Sequence, residues 1–278
     1  MRFAATALLW LVTTVALAVA VPTAWAQKNV IDAEGYAAMA RQAATDPALQ
    51  AAVTSELSTE ALALIRRRGY SVDPARVRGV AGGYTAGLSF PPQFAQANRV
   101  VHRWMFTNDQ SGSDPSVIDL APMLNDNALQ QMLRDFNVRV PATLAVPLTV
   151  SAPKPLQPGQ LRPVAIWNPW VSIGATVVAG ICAVLTLAVA RSRAKALTSL
   201  GVSALLAGGS GWAAIEVARP HINDALNHTT GDIRTIADAM LGHAEAGLHH
   251  WLDLTLAAGG LLVVLGVLVA IVGSLRRS

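Results

Sequence analysis

The chain has 278 residues, of which 53% are hydrophobic and 14% charged; 21 Lys and Arg face 17 Asp and Glu, for a net charge of +4. So small an excess of base gives no support to a nucleic-acid binder, and the apolar content exceeds that of an ordinary water-soluble domain. The single cysteine, Cys182, leaves no intrachain disulfide to stabilise the fold.

The first element is an apolar run, Phe3–Val21, preceded by Met1-Arg2 and followed by Ala24-Trp25-Ala26. Two readings of residues 1–26 stand: a retained signal-anchor, since the run is long enough to cross a bilayer, or a secretory signal peptide with a small-residue cleavage site.

Residues 27–152 read as an extracytoplasmic, mostly helical domain. Asp32 is placed to cap a helix carrying Tyr36, Met39, Ala40 and Ala43 on one face. Asp46-Pro47 opens a second helix, with Leu49, Val53, Leu57, Ala61, Leu64 and Ile65 at helical spacing, that stops at Gly69 after Arg66-Arg67-Arg68. Asp73-Pro74 repeats the start signal, and Gly82-Gly83 is expected to end or bend that third helix. A fourth runs over about 91–106, led by Ser89-Phe90-Pro91-Pro92. Thr107–Pro115 is polar and predicts a loop, Val117–Phe136 predicts an amphipathic helix broken near Asn125-Asp126-Asn127, and Val138-Arg139-Val140 with Ala145–Val150 predict at most two short edge strands.

Residues 153–169 read as a proline-rich tether, and 170–278 as a membrane domain with spans at 171–190, 196–217 and 252–273. Met1-Arg2, the turn 191–195 and the tail 275–278 together hold six Lys or Arg and no acid. Short basic loops stay in the cytoplasm, so the expected topology in the plasma membrane has a cytoplasmic C-terminus and a large domain outside. Trp25, Trp167, Trp170 and Trp251 are expected to mark the outer headgroup boundary. Between the last two spans, 218–251 reads as a helical hairpin: Ile222, Ala225 and Leu226 ascend, Thr229–Asp232 turn, and Ile233, Ile236, Ala237, Met240, Leu241, Ala244 and Leu248 form the returning stripe. Gly201 and Gly208 in one span, and Gly259, Gly266 and Gly273 in the other, recur every seven residues; such small faces let helices pack closely in lipid. They serve either the packing of these two spans or a homo-oligomer.

Two segments carry a resemblance. Ile31-Asp32, Tyr36 and Asp46–Val53, together with Phe90–Phe94, Ala97-Asn98-Arg99 and His102, resemble a family of uncharacterised actinobacterial integral membrane proteins. The resemblance implies an outer helical domain directly after a retained N-terminal span, with several spans following, and implies no activity.

Signatures of catalysis are missing. Gly208–Trp212 fails as a nucleophile elbow because its last glycine is misplaced, no phosphate-binding or dinucleotide-binding loop occurs, and His243-Ala244-Glu245 lacks the cysteine pair that a zinc deaminase needs. No catalytic residue, cofactor or metal is assigned. Five of six histidines, His221, His228, His243, His249 and His250, lie in the second outer segment; of these His221, His228, His243 and His250 are the weak metal candidates, imidazoles suiting zinc or copper. Asn98, His102 and Trp104 form the most concentrated polar-aromatic group of the outer domain and are candidate partner contacts, with a structural pairing of His102 to the following acidic loop as the blander reading. Inside the spans only Glu216 and Asp253 are ionisable, both near outer ends, which speaks against a transport path. The expected fold is a mostly α, multi-pass membrane protein with a helical extracytoplasmic domain and a membrane-proximal helical hairpin. The expected function is that of a non-enzymatic accessory or scaffold subunit of an envelope assembly, with the lipid bilayer and other envelope membrane proteins as partners. A metal, pH or ligand sensor using the histidine hairpin, and an envelope enzyme without a recognisable motif, remain as alternatives.

Overall fold

The computed structural model describes residues 2–67, 69–107, 117–119, 130–131, 134, 145–147, 159–190, 192–226 and 231–275. Helix α1 (Arg2–Ala26) runs into one π-helical turn (Gln27–Ile31); α2 (Ala33–Ala43), α3 (Pro47–Arg67), α4 (Pro74–Thr85) and α5 (Phe90–Phe106) follow. Two short strands, β1 (Val117–Asp119) and β2 (Ala145–Pro147), precede three long helices, α6 (Arg162–Val189), α7 (Arg193–Leu226) and α8 (Asp232–Leu275). The chain divides into two compact units, one of residues 1–28, 164–221 and 245–278, the other of residues 29–163 and 222–244.

The first unit holds the apolar helices. Four helical stretches are long and apolar enough to cross a membrane: Thr6–Ile31, Arg162–Val189, Arg193–Asp224 and Asp232–Gly273. Large apolar side chains such as Leu11, Val15, Ile173, Ile181, Leu261 and Leu268 lie exposed along them. A contiguous apolar surface of this kind is a liability in water and the natural face of a helix in lipid. Each helix extends past the apolar run expected from sequence. The tether at 153–169 is accordingly too long, because α6 is already helical from Arg162. Pro163 sits in its first turn, where no backbone N–H is required. Of the tryptophans placed at the boundary, Trp167 (68% exposed) and Trp170 (74%) are open. Trp25 is buried instead, and a Cβ on Gly247 would stand 3.3 Å from its indole nitrogen.

In the second unit the aspartates act as expected. Asp32 Oδ1 accepts from Gly35 N at 2.7 Å, Asp46 Oδ1 from Ala48 N at 2.7 Å and Asp73 Oδ1 from Ala75 N at 2.9 Å, so three helices start on an acid that satisfies an orphan amide. Gly69, at φ +81°, follows the end of α3 in the left-handed conformation that glycine tolerates best. α2 packs on α5 and α3 on α4, around a core in which Leu49, Leu57, Ile65, Val77 and Phe90 are fully enclosed. Tyr84 meets Phe90 edge-on at 5.7 Å, and a buried hydroxyl pair, Thr54 and Thr85 at 2.7 Å, ties α3 to α4.

Two expectations fail in this unit. α4 does not end or bend at Gly82-Gly83 but continues to Thr85, because Tyr84 and Thr85 beyond the glycines are buried and hydrogen-bonded. Residues 117–119 are a strand, not the start of a helix: Val117 faces Pro147 and Ile118 faces Val146 in an antiparallel pair, so a distant partner overrides the local periodicity. Gln130, Gln131 and Arg134 are helical as expected, while the break at 125–127 and the candidate strand at 138–140 lie outside the described residues. The expected hairpin at 218–251 is helical on both arms, over residues 218–226 and 232–251, and Arg219 of one arm pairs with Glu245 of the other. Residues 222–244 belong to the second unit, and Ile236, Ala239 and Met240 pack against the same core as Leu49 and Phe90. Asp232 is the first residue of α8, and Gly231 precedes it at φ +66°.

Candidate functional site

A strip of charged and aromatic groups runs between α7 and α8. Trp212, Glu216 and Arg219 share a face of α7, and Glu245, His249 and Asp253 share a face of α8, at helical spacing in both cases. Arg219 Nη2 lies 3.2 Å from Glu245 and Nη1 lies 3.1 Å from Glu216. One turn along, the His249 imidazole stacks on the Trp212 indole with centroids 3.9 Å apart and planes 14° from parallel, and Trp212 Nε1 donates to Asp253 Oδ1 at 3.3 Å. Glu216 and Asp253, the two acids near the spans, therefore each have a partner. Glu216 pairs within its own helix, three residues from Arg219, whereas the Asp253 contact depends on how α7 and α8 are registered.

Below the strip the same two helices meet through glycine. A Cβ on Gly201 would fall 2.6 Å from the carbonyl oxygen of Gly259 and 2.7 Å from Val263; one on Gly259 would fall 2.9 Å from the carbonyl of Gly201. One on Gly208 would press on Leu256 at 2.7 Å, and one on Gly266 would strike Thr198 and the Ala194 carbonyl. The glycine face thus joins α7 to α8 within one chain, and only the absence of a side chain lets the backbones come this close. Gly273 is not part of it, as nothing stands within 4 Å of its missing Cβ; Gly211, which fits against Leu252, takes part unannounced. α1 is tied to the other face of α7 by Trp10 Nε1 donating to Ser199 O at 3.0 Å and by Thr14 Oγ1 donating to Ser203 Oγ at 2.9 Å. Asn168 of α6 donates to Thr23 O at 3.1 Å and to Gln27 Oε1 at 3.0 Å.

The partner-contact candidates of the second unit are spent internally. His102 is 5% exposed, lies between the rings of Tyr36 (5.2 Å) and Phe106 (4.4 Å), and donates from Nε2 to Val30 O at 3.0 Å. That carbonyl belongs to the π-helical turn, so the imidazole fixes residue 30 of the turn onto α5 within the second unit. The loop with which His102 was expected to pair, residues 108–116, lies outside the described residues. Burial also pushes the Tyr36 hydroxyl pKa upward. Trp104 is 9% exposed, and its indole N–H has no partner among the described residues; it is core, not a docking ring. Asn98 Nδ2 donates to Phe94 O at 2.9 Å within its own helix.

The histidines among the described residues do not gather. His221 and His250 are exposed, His249 is on Trp212, and His243 Nε2 faces Asp46 Oδ2 at 3.8 Å. His228 lies outside the described residues. Among the described residues no three His, Cys, Asp or Glu side chains are placed to hold a metal ion.

Four apolar spans, two of them joined by a glycine seam, together with a second unit that is mostly helical, define a mostly α-helical, multi-pass membrane protein. Comparison with protein-family models, with curated proteins and with solved structures returns no match to this chain.

Proposed function

We propose that this chain is a non-enzymatic scaffold or accessory subunit of a cell-envelope assembly, with residues 29–163 and 222–244 outside the plasma membrane and the C-terminus in the cytoplasm. The observation that carries the reading is how the polar groups are used. Arg219, Glu245, Asp253, Trp212 and His102 each join one helix to another, and this is the chemistry of a rigid framework. Orientation rests on the basic residues at 2, 191, 193, 195, 276 and 277. Retention of α1 as a signal-anchor is supported by its bonds to Ser199 and Ser203, which a cleaved signal peptide would forfeit. The resemblance to actinobacterial integral membrane proteins agrees with the same layout. Purification of the full chain in mild detergent, with cross-linking and mass spectrometry, is expected to recover other envelope membrane proteins in fixed ratio. A clean monomer with no cross-linked neighbour would sink the scaffold role.

A second reading, a pH-responsive sensor, has one specific observation behind it. His243 faces Asp46 at the N-terminus of α3, and protonation would turn that contact into an ion pair joining residues 222–244 to the α3 start. Its test is the His243→Gln variant: the sensor reading expects loss of an acid-induced change in protease sensitivity, and the scaffold reading expects no such change in either protein.

A further inference from the structure

The four spans leave a space between them. An open-sided cavity of about 690 Å³ is lined by all four, including Leu17 and Ala20 of α1, Ala179 and Gly180 of α6, Ala204 of α7 and Ala258 of α8. Its origin is the choice of small residues, since alanine and glycine stand where larger side chains would close the bundle. Its size falls within the roughly 300–1,000 Å³ of small-molecule sites. Three threonines, Thr13, Thr176 and Thr255, are the hydroxyls on its wall, and each already donates to the carbonyl four residues back, at 2.8, 2.7 and 2.9 Å. Water in such a space would find almost no partners, and a charged or polar ligand would lose its hydration without recompense. An empty space of this volume would forfeit the dispersion contacts of its whole lining.

We propose that this cavity is a binding site for one acyl chain of a membrane lipid, held between the spans as a resident ligand. The bilayer supplies that ligand at the depth of these residues, an acyl chain is apolar along its length, and the open side admits it without a passage through protein. Trp251, also on the wall, has the amphipathic ring that sits at the headgroup boundary, which places the lipid headgroup near the start of the fourth span. The inference rests on the four spans and not on the scaffold role, so either can fail without the other.

The test uses the full chain purified in mild detergent, extracted with organic solvent and assayed for lipid by mass spectrometry. Wild type is expected to carry lipid in near-stoichiometric amount. Gly180→Leu, where a Cβ meets nothing within 4 Å, and Ala258→Leu, on an exposed lining position, fill the cavity without striking protein and should lower the retained lipid several-fold. Gly174→Leu, equally free of neighbours and outside the cavity, should retain it. Independently of any variant, a phosphatidylglycerol with a diazirine in one acyl chain should label peptides covering 176–183 and 251–262 in wild type. Lipid-free wild type, unchanged lipid in both filled variants, or labelling spread evenly over the outer faces of the spans would each overturn the proposal. A lipid-free chain that runs as a dimer until the cavity is filled would assign the space to a second copy and overturn it too.

Discussion

Single side chains in the second unit carry clear energetic weight. Trp104 is buried, so Trp104→Ala should cost about 3–5 kcal/mol through lost contacts and the cavity left behind. Thermal melting should register that loss, with recovery of partners following stability instead of changing on its own. His102→Leu keeps bulk but leaves the Val30 carbonyl without its donor, and is expected to cost about 1–3 kcal/mol. Glu56 supplies a pH test. Burial, then the charges of Glu60 and Asp232, raises its pKa above the ordinary carboxyl range. A raised folded-state pKa means that folding favours the protonated acid. The stabilising effect is complete below the unfolded pKa and disappears as pH rises through the folded one. Glu56→Gln should therefore raise the melting temperature slightly at neutral pH and leave it unchanged in acid; a variant less stable than wild type at neutral pH would refute the burial argument. The site is half-open to solvent, which keeps the gain small.

At the scale of elements, the pairing of α7 with α8 depends on backbone approach, and the glycines differ in what opposes them. Gly201 and Gly266 face carbonyl oxygens and main-chain nitrogen, which cannot move aside, whereas Gly208 faces the flexible end of Leu256. Leucine at Gly201 or Gly266 should push the two helices apart and lower the melting temperature in detergent most, by the roughly 1–3 kcal/mol or more of an overpacked core. Leucine at Gly208 should do less, and at Gly273 nothing. Equal effects at all four positions would contradict the seam. Local order was legible in these elements where it is local in cause. Asp-Pro pairs opened helices because capping and the fixed φ of proline act within one turn, and the faces led by Leu49 and Val53 were buried as their spacing required. What spacing did not show was non-local. Val117–Asp119 became a strand through a partner some thirty residues away, and residues 222–244 joined a core built from the other end of the chain.

For the whole molecule, threading and retention of the first span are the decisive measurements. Reporter fusions after Arg193 and Arg277 should be active only in the cytoplasm, and fusions after Gln110 and Gly231 only outside. Sequencing of the mature N-terminus should begin at Met1 or Arg2; a start at Gln27 would mean that the Trp10 and Thr14 bonds to α7 are absent from the working protein.

By itself the sequence determined the fold class, the four spans and the helix starts, because hydrophobic length and capping are properties of contiguous residues. It could not decide which polar groups were surface and which were structure. His102 and Trp104 stood as contact candidates beside a structural alternative and are core; Glu216 and Asp253 stood as acids at the outer ends of spans and are partnered along or across the α7–α8 strip. Likewise the small residues of four separate helices gave no sign of enclosing one cavity. Apart from Glu216, whose partner lies one turn along its own helix, each of these depends on the rotation and register of packed helices, which only tertiary packing sets.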